Sequence, residues 1–182
     1  MDSWSKKIKA LRQAFAEREF WKLKEHSTEW IQEAAASNNP TIAKLAVLAY
    51  ASYKMQSKAH IVQNPKWKNA RAEFLQAMDR AEQWLRRNNL QSFHQSLQSA
   101  EQVLIQLDQQ IGNYSQTTVK KAKIKMASNA YAFGMSIAQS SALTGADSDD
   151  VQAYIGITRM HDETPIFRGI ADRVRKMEEA LK

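Results

Sequence analysis

The sequence contains no cysteine. Disulfides, thiolate metal sites and cysteine nucleophiles are therefore excluded, and no covalent staple is available to the fold. Glycine and proline are almost as scarce, with 5 and 3 in 182 residues. That is too little punctuation for an all-β protein with frequent tight turns. No apolar run exceeds Leu45–Ala51, far short of the roughly 20 residues that a membrane span requires. Behind Met1-Asp2-Ser3-Trp4 comes the charged stretch Lys6-Lys7-Ile8-Lys9 rather than an apolar one. No export signal is read, and a cytoplasmic protein is expected.

What punctuation there is falls regularly. Asn39-Pro40 and Asn64-Pro65 each place a capping side chain before a proline at the first helical position, where the missing N–H is harmless. Asn88-Asn89 and Gly112-Asn113 supply the next breaks, so positions 39, 64, 88 and 112 are spaced by 25, 24 and 24 residues. Helices of about 30 Å fit between such breaks. The fold expected is all-α: an antiparallel up-and-down bundle of about seven helices, five of them long, in one domain. Residues 1–145 would form the main bundle, and 146–182 a short helix followed by an amphipathic terminal one.

Apolar periodicity agrees with this architecture. Trp4, Ile8, Leu11 and Phe15 recur at helical spacing, then Phe20, Leu23, Trp30, Ile31 and Ala34 continue on a shifted phase, which predicts a kink or break near Glu17–Glu19. Trp67, Ala70, Phe74, Ala77, Ala81, Trp84 and Leu85 make one later stripe, and Leu90, Phe93, Leu97, Ala100, Leu104, Leu107 and Ile111 the next. From Ile42 to Ala51 only Lys44 interrupts the apolar residues, as expected of a central helix. Ala127–Leu143 is similarly small and apolar and is expected to pair with it. Leu143-Thr144-Gly145 suits a left-handed helix stop, with Asp147 or Ser148 capping a short helix beyond. His26, His60 and His94 share the period of tetratricopeptide repeats. At that offset, however, Trp30 falls on Asn64 and then Gln98, so no repeat is read.

The chain carries a formal charge of +7, which favours encounter with polyanions. Residues 40–89 hold nine Lys/Arg and three acids, and 114–145 hold four lysines and no acid. Lys120, Lys121, Lys123 and Lys125 form the densest cluster, with Lys66, Lys68, Arg71, Arg86 and Arg87 as a second basic surface at the two ends of the third helix. Such surfaces can neutralise phosphates. Their plain alternative is a solvated face that keeps the protein soluble. No nucleic-acid fingerprint accompanies the charge, and the tryptophans fall at core spacing, so packing rather than base stacking is expected of them. Asp147-Ser148-Asp149-Asp150 lacks the glycine and distal glutamate of a calcium loop and reads as a carboxylate-rich helix start. No metal or other cofactor is expected. His161-Asp162 lacks further ligands at set intervals and reads as a polar segment before Pro165.

The segment from Arg87 through Asn88-Asn89 to His94 resembles the Arg–polar–x–His signature of the HEPN ribonucleases, an all-helical intracellular family. That resemblance implies a phosphate-clamping Arg87 and a proton-transferring His94. The residues themselves read as an arginine ending one helix and a histidine on the polar face of the next. Leu143-Thr144-Gly145 and Tyr154-Ile155-Gly156-Ile157-Thr158-Arg159-Met160-His161-Asp162 resemble uncharacterised all-helical proteins of archaea, as do Tyr50-Ala51-Ser52-Tyr53 and Tyr131-Ala132-Phe133-Gly134. No activity is implied by that likeness.

The function expected is thus a non-enzymatic helical protein contacting DNA or RNA through its lysine-rich surfaces. A protein-docking or self-associating module using the amphipathic Pro165–Lys182 segment is the alternative, and a ribonuclease using Arg87 and His94 the second.

Overall fold

In the computed structural model, residues 2–112 and 116–161 are described, and every regular element among them is a helix. None of those helices is long and apolar enough to cross a membrane. The elements are α1 (Asp2–Ala16), α2 (Phe20–Ser37), α3 (Pro40–Gln56), the single turn α4 (Ala59–Val62), α5 (Pro65–Arg86), α6 (Leu90–Ile111), α7 (Thr118–Ala132), α8 (Ile137–Thr144) and α9 (Ser148–His161). The described residues hold nine helices where about seven were expected, and the expected terminal helix from Pro165 lies outside them.

The long first helix divides into α1 and α2 at the break expected near Glu17–Glu19, and two further cuts were not expected. The helix expected to fill the interval between the breaks at Asn39 and Asn64 instead ends at Gln56, and the one-turn α4 follows it. The stretch expected as one helix from Ala127 to Leu143 is cut at Gly134, whose φ of 109 is open to glycine alone. Ser136 then starts α8 with a capping box: its hydroxyl accepts from the Gln139 N–H at 3.1 Å, and the Gln139 side chain accepts from the Ser136 N–H at 3.0 Å. Ala138 is exposed and Tyr131 and Phe133 half-buried, so this region is not the all-round core element expected. The central reading of α3 does hold, since Ile42, Ala43, Leu45–Ala49, Ala51 and Met55 are buried.

Five of the described helix stops follow one plan. The N–H groups of Glu19, Asn39, Asn89, Met135 and Ala146 each donate to the carbonyl five residues back. The residue before each has a positive φ: Arg18, Asn38, Asn88, Gly134 and Gly145. This is the Schellman closure, which satisfies carbonyls that the ending helix leaves open. The next helix is then capped at once. Asn39 Oδ1 accepts from the N–H groups of Thr41 and Ile42 at 3.0 and 3.2 Å, and Asn89 Oδ1 from Ser92 at 3.0 Å. Asn64 likewise caps α5, accepting from Lys66 N–H at 3.0 Å, and Asp147 caps α9 through Asp149 and Asp150.

The described residues group into two compact units, one drawing on 2–27 and 48–121 and the other on 28–47 and 122–161. In the first, α5 and α6 form an antiparallel hairpin: the Lys66 ammonium at the start of α5 donates to the Gln110 carbonyl at the end of α6, at 3.2 Å. Helix α1 packs antiparallel to α5. Lys9 pairs with Glu82, Arg12 with Asp79, and Phe15 meets Phe74 with ring centroids 4.2 Å apart. Trp4 stacks on Phe93 at the other end, with centroids 5.8 Å apart. Phe15, Phe74, Phe93, Ile8, Leu11 and Met78 are fully enclosed, each stabilising the unit by about 2–3 kcal/mol relative to exposure.

The last carbonyls of α1 are satisfied from a distance. Gln56 Nε2 donates to Phe15 O at 2.8 Å and the Arg71 guanidinium to Ala16 O at 2.7 Å. In the second unit Ile124, Ala127, Val151 and Ile155 form a core that Tyr131, Ile137, Ala146 and Tyr154 cover.

Candidate nucleic-acid interface

Of the lysines that the sequence groups along α7, the structure keeps Lys120 and Lys121 exposed and leaves Lys123 and Lys125 half-buried. Alternation around the helix is the reason: Val119, Ala122, Ile124 and Met126 face inward and carry their neighbours partway with them. The Lys123 ammonium lies beside Gly145, 3.9 Å from where a β-carbon there would stand, at the carbonyl end of α8 where a cation is favoured. Burial lowers its pKa. Lys125 lies over the Tyr154 ring, 5.8 Å from the centroid.

Lys44 on α3 belongs to the same unit as Lys123. Its pKa is lowered to about 8, chiefly by burial and further by the charge of Lys123. The two ammoniums thus sit among packed helices rather than on an open basic face.

The first unit assembles its basic residues differently. The carboxylate of Asp108, in the last turn of α6, accepts from the N–H and from the hydroxyl of Thr118, the first residue of α7. Half a turn further along α6, Gln110 receives the Lys66 ammonium. The start of α5 and the start of α7 are therefore held at one end of the unit through α6. Lys66, Lys68, Lys120 and Lys121, all exposed, come to that end together. Neither α5 nor α7 has an acid in its first turn, and the Asp108 carboxylate is buried in its cap. Arg71 is drawn away, its guanidinium serving the end of α1.

Arg87 and His94 are each held by aromatic neighbours. Arg87 ends α5 and lies over the Trp84 ring, 5.3 Å from its centroid. His94 lies on α6 against Phe93 and Trp4, with centroids 4.9 and 6.5 Å away. The left-handed Asn88 and the cap Asn89 separate them. A shallow depression of about 480 Å³ along α6 is lined by Gln95, Gln98, Ser99, Gln102, Val103 and Gln106. None of these ionises, so it offers no group for acid–base chemistry.

A second exposed feature escaped the sequence reading. Phe20 was expected on a buried stripe with Leu23 and Trp30, yet it is 39% exposed, and Trp21 beside it is 57% exposed. Phe20 opens α2, ahead of the neighbours that bury Leu23. Its ring meets Trp21 edge-on at 5.7 Å and stacks on Tyr53 at 6.5 Å, and Tyr53 meets Tyr50 at 5.7 Å. Lys54 lies over both tyrosine rings, at 5.5 and 5.3 Å, and Lys24 over Tyr53 at 5.9 Å. The signal for it was the consecutive Phe20-Trp21, since adjacent positions on a helix point about 100° apart and cannot share one buried stripe.

Comparison of the chain with protein-family models, curated proteins and solved structures finds no match. Neither resemblance drawn from the sequence gains support from it.

Proposed function

We infer that this protein binds nucleic acid through the basic end of its first unit, with Lys66, Lys68, Lys120 and Lys121 contacting phosphates. One observation supports this reading above the others. The last turn of α6 gathers two basic segments, distant in sequence, at one place and buries its own Asp108 carboxylate there in a helix cap. Exposed ammonium groups gathered at one end repel one another, and a phosphate backbone relieves that repulsion while releasing its own counterions. Lys123 and Lys125, engaged with Gly145 and Tyr154, take a smaller part.

The test is binding of labelled single- and double-stranded DNA and RNA at two salt concentrations. Changing Lys66, Lys68, Lys120 and Lys121 to Gln together should weaken binding and reduce the salt slope by about 0.7–0.9 for each phosphate no longer neutralised. Changing Lys123 and Lys125 to Gln should do less. Unchanged binding by the first variant, or none by the wild type at low salt, would overturn the reading.

A further inference from the structure

The aromatic cluster of α2 and α3 lies at the same end of the first unit as the basic residues, as the hydrogen bonds and ring contacts show. Gln56, at the end of α3, donates to Phe15 O at the end of α1. Phe15 in turn meets Trp67, beside Lys66 and Lys68 at the start of α5, with centroids 5.8 Å apart. Tyr53 is one turn before Gln56, and Phe20 opens the helix that follows α1. The ends of α1 and α3 and the starts of α2 and α5 therefore share this end with the start of α7.

We propose that Phe20, Trp21, Tyr50 and Tyr53, with Lys24 and Lys54, form a stacking platform for the bases of a single-stranded nucleic acid. The proposal rests on the reading of the basic end as a phosphate-binding surface and specifies which polyanion it takes. The composition of the patch identifies its occupant. An aliphatic partner helix would have to strip water from two ammonium groups and would give nothing in return. A nucleotide strand supplies both complements, a π-face for each ring and a phosphate for each lysine. The strand must be unpaired, because a duplex keeps its base faces stacked on one another and out of reach of side chains. Of the acids near Lys22, which are Glu17, Glu19 and Glu25, Glu19 is paired with Lys22 at 2.8 Å.

The experiment measures fluorescence anisotropy of three labelled probes: an oligodeoxythymidine strand, the same strand in a duplex, and an abasic strand of equal length. The wild type is expected to prefer the first, with its tryptophan emission quenched on binding. The double variant Trp21→Ala/Tyr53→Ala is expected to lose roughly tenfold or more on that strand while holding the duplex and the abasic strand as before. Should that variant fail to fold by circular dichroism, Lys24→Gln/Lys54→Gln replaces it, with a reduced salt slope expected on the unpaired strand alone. Equal affinity of the wild type for the normal and abasic strands, or no loss in the aromatic variant, would overturn the platform and leave the basic end standing. Binding of no probe would overturn both. Concentration-dependent self-association in sedimentation that Trp21→Ala abolishes would overturn it too and assign the patch to a second copy of the chain.

Discussion

Asp108 and Thr118 are joined by two hydrogen bonds, one to the backbone N–H and one, at 3.0 Å, to the hydroxyl. A buried carboxylate at the end of α6 thereby caps α7 across the intervening segment. It neutralises part of the positive end of α7 just where Lys120 and Lys121 add further positive charge. Asp108→Ala should destabilise the protein by about 2 kcal/mol, because a charged hydrogen-bonded cap is removed and buried donors are left open. Asp108→Asn, which keeps an acceptor, should lose about half of that. Urea denaturation checks both, and an unmoved midpoint for Asp108→Ala would show that the cap contributes nothing.

Arg18 is left-handed, with φ of 60, at a stop where glycine is the ordinary occupant. Its β-carbon is strained there by about 1–2 kcal/mol, partly offset by the freedom that glycine adds to the unfolded chain. Arg18→Gly should raise stability by up to about 1 kcal/mol. Asn88, with φ of 54, tolerates the conformation better, so Asn88→Gly should change little and Asn88→Val should lose at least about 1 kcal/mol. Thermal melts that rank these variants otherwise would refute this account of the stops.

Lys44 makes stability depend on pH in the alkaline range. Its folded pKa is about 8, against 10.5 in the unfolded chain. Between those values the unfolded state binds the extra proton, so stability rises with pH through that window and is flat below it. Full desolvation would make the shift worth about 3 kcal/mol. The ammonium keeps some contact with water, and screening reduces this to about 1–2 kcal/mol. Lys44→Met should remove that rise and gain roughly 1 kcal/mol at neutral pH. Denaturation midpoints of wild type and variant from pH 7 to 10.5 provide the check, and parallel curves would refute it.

Two tryptophans should differ sharply in their sensitivity to truncation. Trp67 is 4% exposed and packs on Phe15, so Trp67→Ala should cost about 3–5 kcal/mol. Trp21 is 57% exposed, and Trp21→Ala should stay within about 1 kcal/mol of the wild type. A large loss at Trp21 in a chemical melt would assign that ring to the core.

The helical class and most of its boundaries could be read from the chain alone. Asn39, Asn64 and Gly145 act within one turn of themselves, so their side chain or backbone freedom is a local property that the order of residues discloses. The break near Glu17–Glu19 was legible for the same reason, as a shift in apolar phase. The cut at Gly134 was not. Its neighbours Tyr131, Phe133 and Met135 are apolar enough to suggest continuation, and only the capping box from Ser136 shows the helix restarting.

The basic surface was legible as composition but not as a place. Lysines 120, 121, 123 and 125 look equivalent in a charge run, yet their exposure depends on which side of α7 turns inward. Arg71 belongs with Lys66 and Lys68 by sequence and with the end of α1 by its hydrogen bond. Local chemistry thus decided where helices begin and stop, because caps and turns reach only a few residues. Tertiary packing alone decided that Lys66 and Lys120 share one end of α6 and that Trp21 lies open beside Phe20 and Tyr53, because those relations depend on which helix faces meet.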